Sequence, residues 1–310
     1  MAYKNREMVK IAYYYYQQDL TQAQIAKKMN MSRQRVNRVL KKAVEENIIE
    51  IKIVDIDKYN VELENHLEEK YNLDQAVVIS PLDDNSIISS LGIAGAEFLE
   101  DTLSKGDSIG VTWGRTLSEV AKRLQSNSKL KTPVTQLIGG LNIAFTDLQA
   151  DEITRTMAYK LGGEAHILYA PAIVENKEIK DAIMSDNQLK QTFQNMDKCN
   201  IMILGIGDLH ESTILHRDKD LNNEYKNHLF PKKAVGDIGF RWFNKYGEPV
   251  EQDYDDRTIG YDILRKESKA LKVGIAGGKK KHDAILGALN GGFLDVLITD
   301  NSTAKTLIKS

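Results

Sequence analysis

From Gln75 onward the chain repeats one pattern seven times: a short, mostly apolar run, then a helical stretch or loop. The runs are AVVIS, SIGV, VTQLI, AHILYA, IMILGIG, KVGIA and VLIT. A strand buried on one face alternates apolar with polar residues, whereas near-continuous apolar runs need cover on both faces. That is the mark of a mostly parallel sheet flanked by helices. Helices are expected over Ile87–Leu103 and Leu117–Leu124, among others. The pattern predicts an α/β, doubly wound domain with no internal repeat and no low-complexity tract.

Residues 1–54 read differently, with neither Pro nor Gly, as suits a compact helical unit. A first helix is expected over about Arg6 to Gln18. It carries Tyr13, Tyr14, Tyr15 and Tyr16, which cannot all face one core because successive helical residues point ~100° apart. Thr21 can cap a second helix, and Gln24 completes a capping box. Ile25, Ala26 and Met29 follow at helical spacing, and Asn30-Met31 makes a turn. Ser32 then caps a third helix with apolar positions Val36, Val39, Leu40 and Val44. The polar face of that helix presents Arg33, Gln34, Arg35, Asn37, Arg38 and Lys41; with Gln22 and Ser32 these are the candidate DNA contacts. Arg can grip guanine bidentately, Asn or Gln can do so with adenine, and the remainder meet phosphates. Ile48 to Val54 alternates as a short strand or wing, giving a winged-helix-like helix-turn-helix. The competing reading is an ordinary helical hairpin with its basic face in water.

Charge separates the two regions. Residues 1–54 hold 11 Lys and Arg against 5 Asp and Glu, while the remainder holds 31 against 39. Nucleic-acid affinity is therefore expected at the N-terminus only. Between the regions, Val61, Leu63, Leu67 and Tyr71 amid glutamates make an amphipathic helix. The expected domains are 1–54, reading DNA, and 55–310, binding an effector and oligomerising, with 55–74 a linker helix. Hydrophobic residues make up 42% of the chain, enough for a sizeable core, yet no apolar run approaches the ~20 residues of a membrane helix. The start, MAYKNREMVK, leads into no apolar signal core, so nothing points to export. The single Cys199 excludes an intrachain disulfide and fits a reducing cytoplasm.

In parallel sheets ligands sit beyond the carboxyl ends of strands, where loops enter helix N-termini. Four loops suit that place: Gly110 to Thr116, Gln136 to Gly140, Gly205 to Asp208, and Gly274 to Gly278 with Lys279, Lys280 and Lys281 behind it. Glycine lets backbone approach a ligand, and hydroxyls, helix amides and lysine suit a cluster of anionic oxygens. Together they suggest a phosphate-bearing small ligand, although glycines also end strands for turn geometry and a lysine run also serves as a solvated face. Familiar cofactor and metal motifs are absent: there is no GxGxxG, Walker loop, HExxH or GxSxG, and the histidines show no metal spacing. No cofactor and no metal are expected.

QAQIAKKMNMSRQRVNRVL, GDSIGVTWGRTLSEVA, VTQLIGG, YAPAIV, ILGIGDL, AVGDIGFRWFNKYG, DDRTIG and AGGKKKHDAILGALNGGFLDVLITDNSTAKTLI together resemble the SorC-type family of sugar-responsive bacterial transcription regulators, which includes deoxyribonucleoside regulators of Gram-positive bacteria. The resemblance covers nearly the whole chain. It implies a helix-turn-helix joined to an effector domain similar to sugar-phosphate isomerases, a phosphorylated-sugar effector, operator DNA as partner, and a homodimer or homotetramer. By motif, Thr112, Trp113, Gly114, Arg115 and Thr116 would surround the effector, Asp237 would bind sugar hydroxyls and Lys281 would meet the phosphate. Gly139, Gly140, Gly205, Gly207 and Gly277 complete the candidate effector set. Some relatives carry lysine where Ile138 stands, able to form an aldimine with an open-chain sugar; Ile138 cannot. No catalytic residue is expected, the alternative being an isomerase-like enzyme with an appended DNA module, for which Asp237 could serve as base but shows no partner acid.

Overall fold

The computed structural model describes residues 2–50, 60–140, 149–209, 229, 231–250, 252–264 and 268–310, with the side chains of 2–5, 252 and 254 outside the description. The chain divides into two compact units, Met1–Ile56 and Asp57–Ser310.

The first unit holds α1 (Ala2–Tyr16), α2 (Gln22–Lys28) and α3 (Arg33–Glu45). The capping box forms: Thr21 Oγ1 accepts the Gln24 amide while Gln24 Oε1 accepts the Thr21 amide. Ser32 Oγ accepts the Arg35 amide at 3.2 Å and starts α3. Between them Asn30 turns the chain at φ 48°, a left-handed conformation that Asn tolerates. Ile11, Ile25, Ala26, Val36 and Leu40 form the core. Val44 departs from expectation, being 38% exposed while Ala43 is fully buried. Counting 3.6 residues per turn from Val36 puts positions 40 and 43 on one side and carries 44 round its shoulder. The tyrosine run splits as helical rotation demands: Tyr14 and Tyr15 pack on the core, and Tyr13 and Tyr16 are exposed. Of the expected wing, residues 51–54 lie outside the described residues. Ile48 and Ile49 form no strand; both amides return to the Ala43 carbonyl and close the end of α3.

In the second unit, α4 (Val61–Tyr71) precedes β1 (Gln75–Ile79), α5 (Ile87–Thr102), β2 (Ile109–Val111), α6 (Arg115–Arg123) and β3 (Thr132–Gln136). Then follow α7 (Ala150–Leu161), β4 (Gly162–His166), α8 (Lys177–Met184), α9 (Asn187–Lys198) and β5 (Ile201–Gly205). A small insertion comes next, with β6 (Gly207–Asp208), β7 (Ala234–Ile238), β8 (Arg241–Asn244) and α10 (Gln252–Asp255). The chain closes with β9 (Leu271–Ile275), α11 (His282–Asn290), β10 (Val296–Asp300) and α12 (Asn301–Lys309).

Among the described residues, the seven predicted runs form one parallel sheet in the order β1-β10-β9-β5-β2-β3-β4. Side chains leave alternate faces, which explains the unbroken apolar runs. Ile201 and Ile203 join one apolar cluster with Val296 and Ile298, while Met202, Leu204 and Leu297 join the other. AHILYA is strand only as far as His166, because its pairing with β3 stops at Thr135. The antiparallel β6-β7-β8 ribbon was not anticipated. At the open edge, α4 covers β1 with its carboxylates: Glu68 Oε1 accepts the Ala76 amide and Glu64 Oε1 the Val78 amide, each at 2.8 Å. Among the described residues no helix is long and apolar enough to cross a membrane.

From β2 the sheet is built outward through β3 to β4; the chain then returns to lay β5 on the other side of β2 and continues to β9 and β10. The direction of winding reverses between β2 and β5. In open parallel sheets that reversal splays the following loops apart and leaves a crevice beyond the strand ends.

Candidate functional site

A cavity of about 390 Å³ lies at this reversal. Thr112 follows β2 directly and ties it to β5, its amide donating to the Ile203 carbonyl and its Oγ1 accepting the Gly205 amide at 3.0 Å. Gly114 has φ 123° and ψ 166°, a region essentially closed to residues with a Cβ, and it opens α6. The first-turn amides of a helix have no partner within it, so this end of α6 brings hydrogen-bond donors and partial positive charge to the cavity. Trp113, Arg115 and Thr116 line it beside Gly114.

Gly277 and Gly278 follow β9 and lead through a single 3-10 turn, Lys279–Lys281, into α11. The Gly278 amide donates to Asp300 Oδ2 at 2.7 Å and to Thr303 Oγ1 at 3.0 Å. Burial works against the Asp300 carboxylate, but hydrogen bonds from Ser302, Thr303 and Gly278 outweigh it and hold the carboxyl below its ordinary range. Lys281 turns its ammonium into the cavity, donating to the Ile206 carbonyl and standing 3.7 Å from Asp208 Oδ2. Burial draws its pKa down, against the pull of Asp208 and Asp237.

Asp237, 7% exposed, sits on β7 opposite Gly207 of β6. A Cβ on residue 207 would fall 2.0 Å from Asp237 Oδ1, so only glycine lets the carboxylate stand there. Burial pushes the Asp237 carboxyl up to about 6, with the Phe240 amide and Lys281 opposing the rise and Asp208 adding to it. Asp237 Oδ2 accepts the Phe240 amide at 2.9 Å across a two-residue turn in which Gly239 and Phe240 both have φ 60°. That is the hairpin turn matching strand twist, but a phenylalanine in its second position costs about 1–2 kcal/mol. The Phe240 ring, 2% exposed, lies with its centroid 5.3 Å from that of Trp113. Ile87, Ile88 and Leu91 of α5 extend the apolar wall, and Asp84 opens the 3-10 turn that leads into that helix.

Of the candidate effector residues, Thr112, Trp113, Gly114, Arg115, Thr116, Gly205, Gly207, Asp237, Gly277 and Lys281 all line this cavity. Gly139 and Gly140 do not. They follow β3, one strand beyond the reversal, and serve packing: the Gly139 amide bonds to the Ile259 carbonyl and the Gly140 amide to that of Ala170. A Cβ on Gly139 would meet the Pro171 carbonyl oxygen at 2.4 Å. Ile138 is 1% exposed and packs in the cluster that holds Phe240 and Trp242, outside the cavity lining. Asp208 and Phe240 also line the cavity but carry no local sequence signal of it, although Asp208 belongs to the Gly205 loop and Phe240 stands three residues after Asp237. The α5 wall comes from another crossover and likewise carries none.

In the first unit, Arg33, Gln34, Asn37, Arg38 and Lys41 are exposed on α3, while Val36, Leu40 and Ala43 are buried. Arg35 is also exposed but forms an ion pair with Glu7 at 2.9 Å. Ser32 is engaged as the cap, and Gln22 is half-buried at the head of α2.

Both parts of the chain match known families. Residues 58–309 match the Sugar-bind family, a sugar-binding domain, and residues 5–46 match sigma-70 region 4. The chain is 33% identical to the deoxyribonucleoside regulator of Bacillus subtilis, covering 98% of each chain. It is 30% identical to the sorbitol operon regulator of Klebsiella pneumoniae, again over 98% of each. The crystal structure of that full-length regulator superposes with a TM-score of 0.75 at 98% coverage of both chains.

Proposed function

The chain belongs to the SorC-type family of sugar-binding bacterial transcriptional regulators, and from that premise we propose that a phosphorylated sugar, held in the β2–β5 crevice, sets the affinity of α3 for operator DNA. The observation that carries this reading is the meeting of two kinds of chemistry in one cavity. The opening of α6 and the Lys281 ammonium supply donors and positive charge for phosphate oxygens, while Asp237 offers an acceptor for sugar hydroxyls. Arg33, Gln34, Arg35, Asn37, Arg38 and Lys41 read the major groove and its flanking phosphates, with Gln22 and Ser32 beside them. The regulated genes serve carbohydrate breakdown, and the protein works in the cytoplasm as a homodimer or homotetramer, which suits two-fold operators.

An effector shifts operator affinity only by as much as it prefers one DNA-binding state over the other. The test is a thermal-shift screen of full-length protein against sugar phosphates, the same sugars unphosphorylated, and inorganic phosphate. It is followed by anisotropy titration of the DNA upstream of the gene. Stabilisation by a sugar phosphate alone, together with at least a tenfold change in operator affinity, is the expected result. No stabilisation by any sugar phosphate would refute the reading.

A further inference from the structure

We infer that Trp113 is a stacking surface for the carbon–hydrogen face of a closed sugar ring, so that the cavity selects ring-form over open-chain sugar phosphates, and that Phe240 is the residue that positions it. The inference rests on the proposed function and narrows its ligand class.

Trp113 is half-buried and lines the cavity. Phe240, which lines the same cavity, packs against it at 5.3 Å between ring centroids, with an interplanar angle of 31°. Trp242 lies next in line at 6.3 Å from Phe240, and Ile138 closes the same cluster. Such a stack leaves the indole little freedom, and a fixed aromatic surface loses little entropy on binding. The negative face of an indole attracts the slightly positive C–H groups on one side of a sugar ring, which an extended polyol presents on no single plane.

The same hairpin turn controls the polar contact. Phe240, held at φ 60°, donates its amide to Asp237 Oδ2. One strained residue therefore sets both the aromatic surface and the carboxylate aimed at hydroxyls. Strain of this kind persists only where the surroundings over-determine it, and it gathers at ligand sites. Ile138, 1% exposed, is buried in the cluster that contains Phe240 and gives it apolar support.

The experiment uses full-length protein and matched probes: anhydro-alditol phosphates, whose five- or six-membered ring cannot open, and the corresponding alditol phosphates, which cannot close. Calorimetry is expected to show the locked ring binding at least about tenfold tighter. Trp113→Leu should abolish that preference and Trp113→Phe should keep most of it, with melting temperature confirming that each variant folds. In a Trp242→Phe background, where Trp113 is the remaining tryptophan, the locked ring should change the emission of the indole. Equal binding of ring and chain forms, or an unchanged preference in Trp113→Leu, overturns the inference while leaving the proposed function standing. Binding of neither form, with no response to any sugar phosphate, overturns both.

Discussion

Asp300 Oδ2 accepts the backbone amide of Gly278 at 2.7 Å, joining the carboxyl end of β10 to the loop that bears Lys281. The other oxygen, Oδ1, accepts the amides of Ser302 and Thr303 and caps α12. One fully buried carboxylate thus fixes a cavity loop and starts the last helix.

Asp300→Ala should destabilise the second unit by about 3 kcal/mol, combining loss of a helix cap with loss of charge-assisted bonds inside the protein. Because the folded carboxyl lies below its ordinary range, its stabilising effect is present above the unfolded value of ~3.9 and fades as pH falls through the folded value. Chemical denaturation at neutral and acidic pH checks this: the gap between wild type and variant must narrow in acid.

Asp237 works in the opposite sense. Its folded pKa of about 6 is raised, so its contribution is fully favourable below the unfolded value of ~3.9 and is lost as pH rises through about 6. At neutral pH the buried charge costs about 3 kcal/mol. Asp237→Asn keeps an acceptor for the Phe240 amide and should melt higher than wild type at neutral pH, with the advantage vanishing near pH ~4. A melting difference independent of pH would show that Asp237 does not titrate as described.

Lys281→Ala should weaken a phosphorylated sugar by about 100-fold and the unphosphorylated sugar by far less, since a half-buried cation is lost from one pole of the ligand only. Operator binding without ligand should stay within about threefold. Calorimetry with both sugar forms reads the contrast; an equal loss for the two would place the phosphate elsewhere.

Arg33→Ala should reduce operator affinity by about 10–100-fold, the worth of a bidentate base contact, and leave sugar-phosphate affinity unchanged. Arg35→Ala should do the same while also losing the exposed Glu7 pair, which contributes only ~0–1 kcal/mol to folding. Anisotropy titrations over a range of salt separate base reading from phosphate contact, because a lost phosphate contact lowers the salt slope by about one.

What was legible in the chain follows physical range. The seven strands announced themselves because burial on both faces leaves no polar alternation. Thr112 to Thr116 and Gly277 to Lys281 announced themselves because a strand end, glycine and a helix start lie within a few residues. Val44 and Ala43 could not be told apart without the real helix phase, since valine looks the more apolar of the two. Gly139 and Gly140 share the local signature of the cavity loops, but strand order puts them one strand away. The wall from Ile87, Ile88 and Leu91 depends on a crossover across the sheet, for which no neighbouring residues give notice.

The glutamates of α4 carry a last consequence. A sheet margin with idle amide hydrogens invites a foreign strand, and Glu64 and Glu68 occupy those of Val78 and Ala76. This unit therefore cannot polymerise through β1 unless α4 is peeled away first. Any event that loosened this helix would uncover an adhesive border in the same stroke.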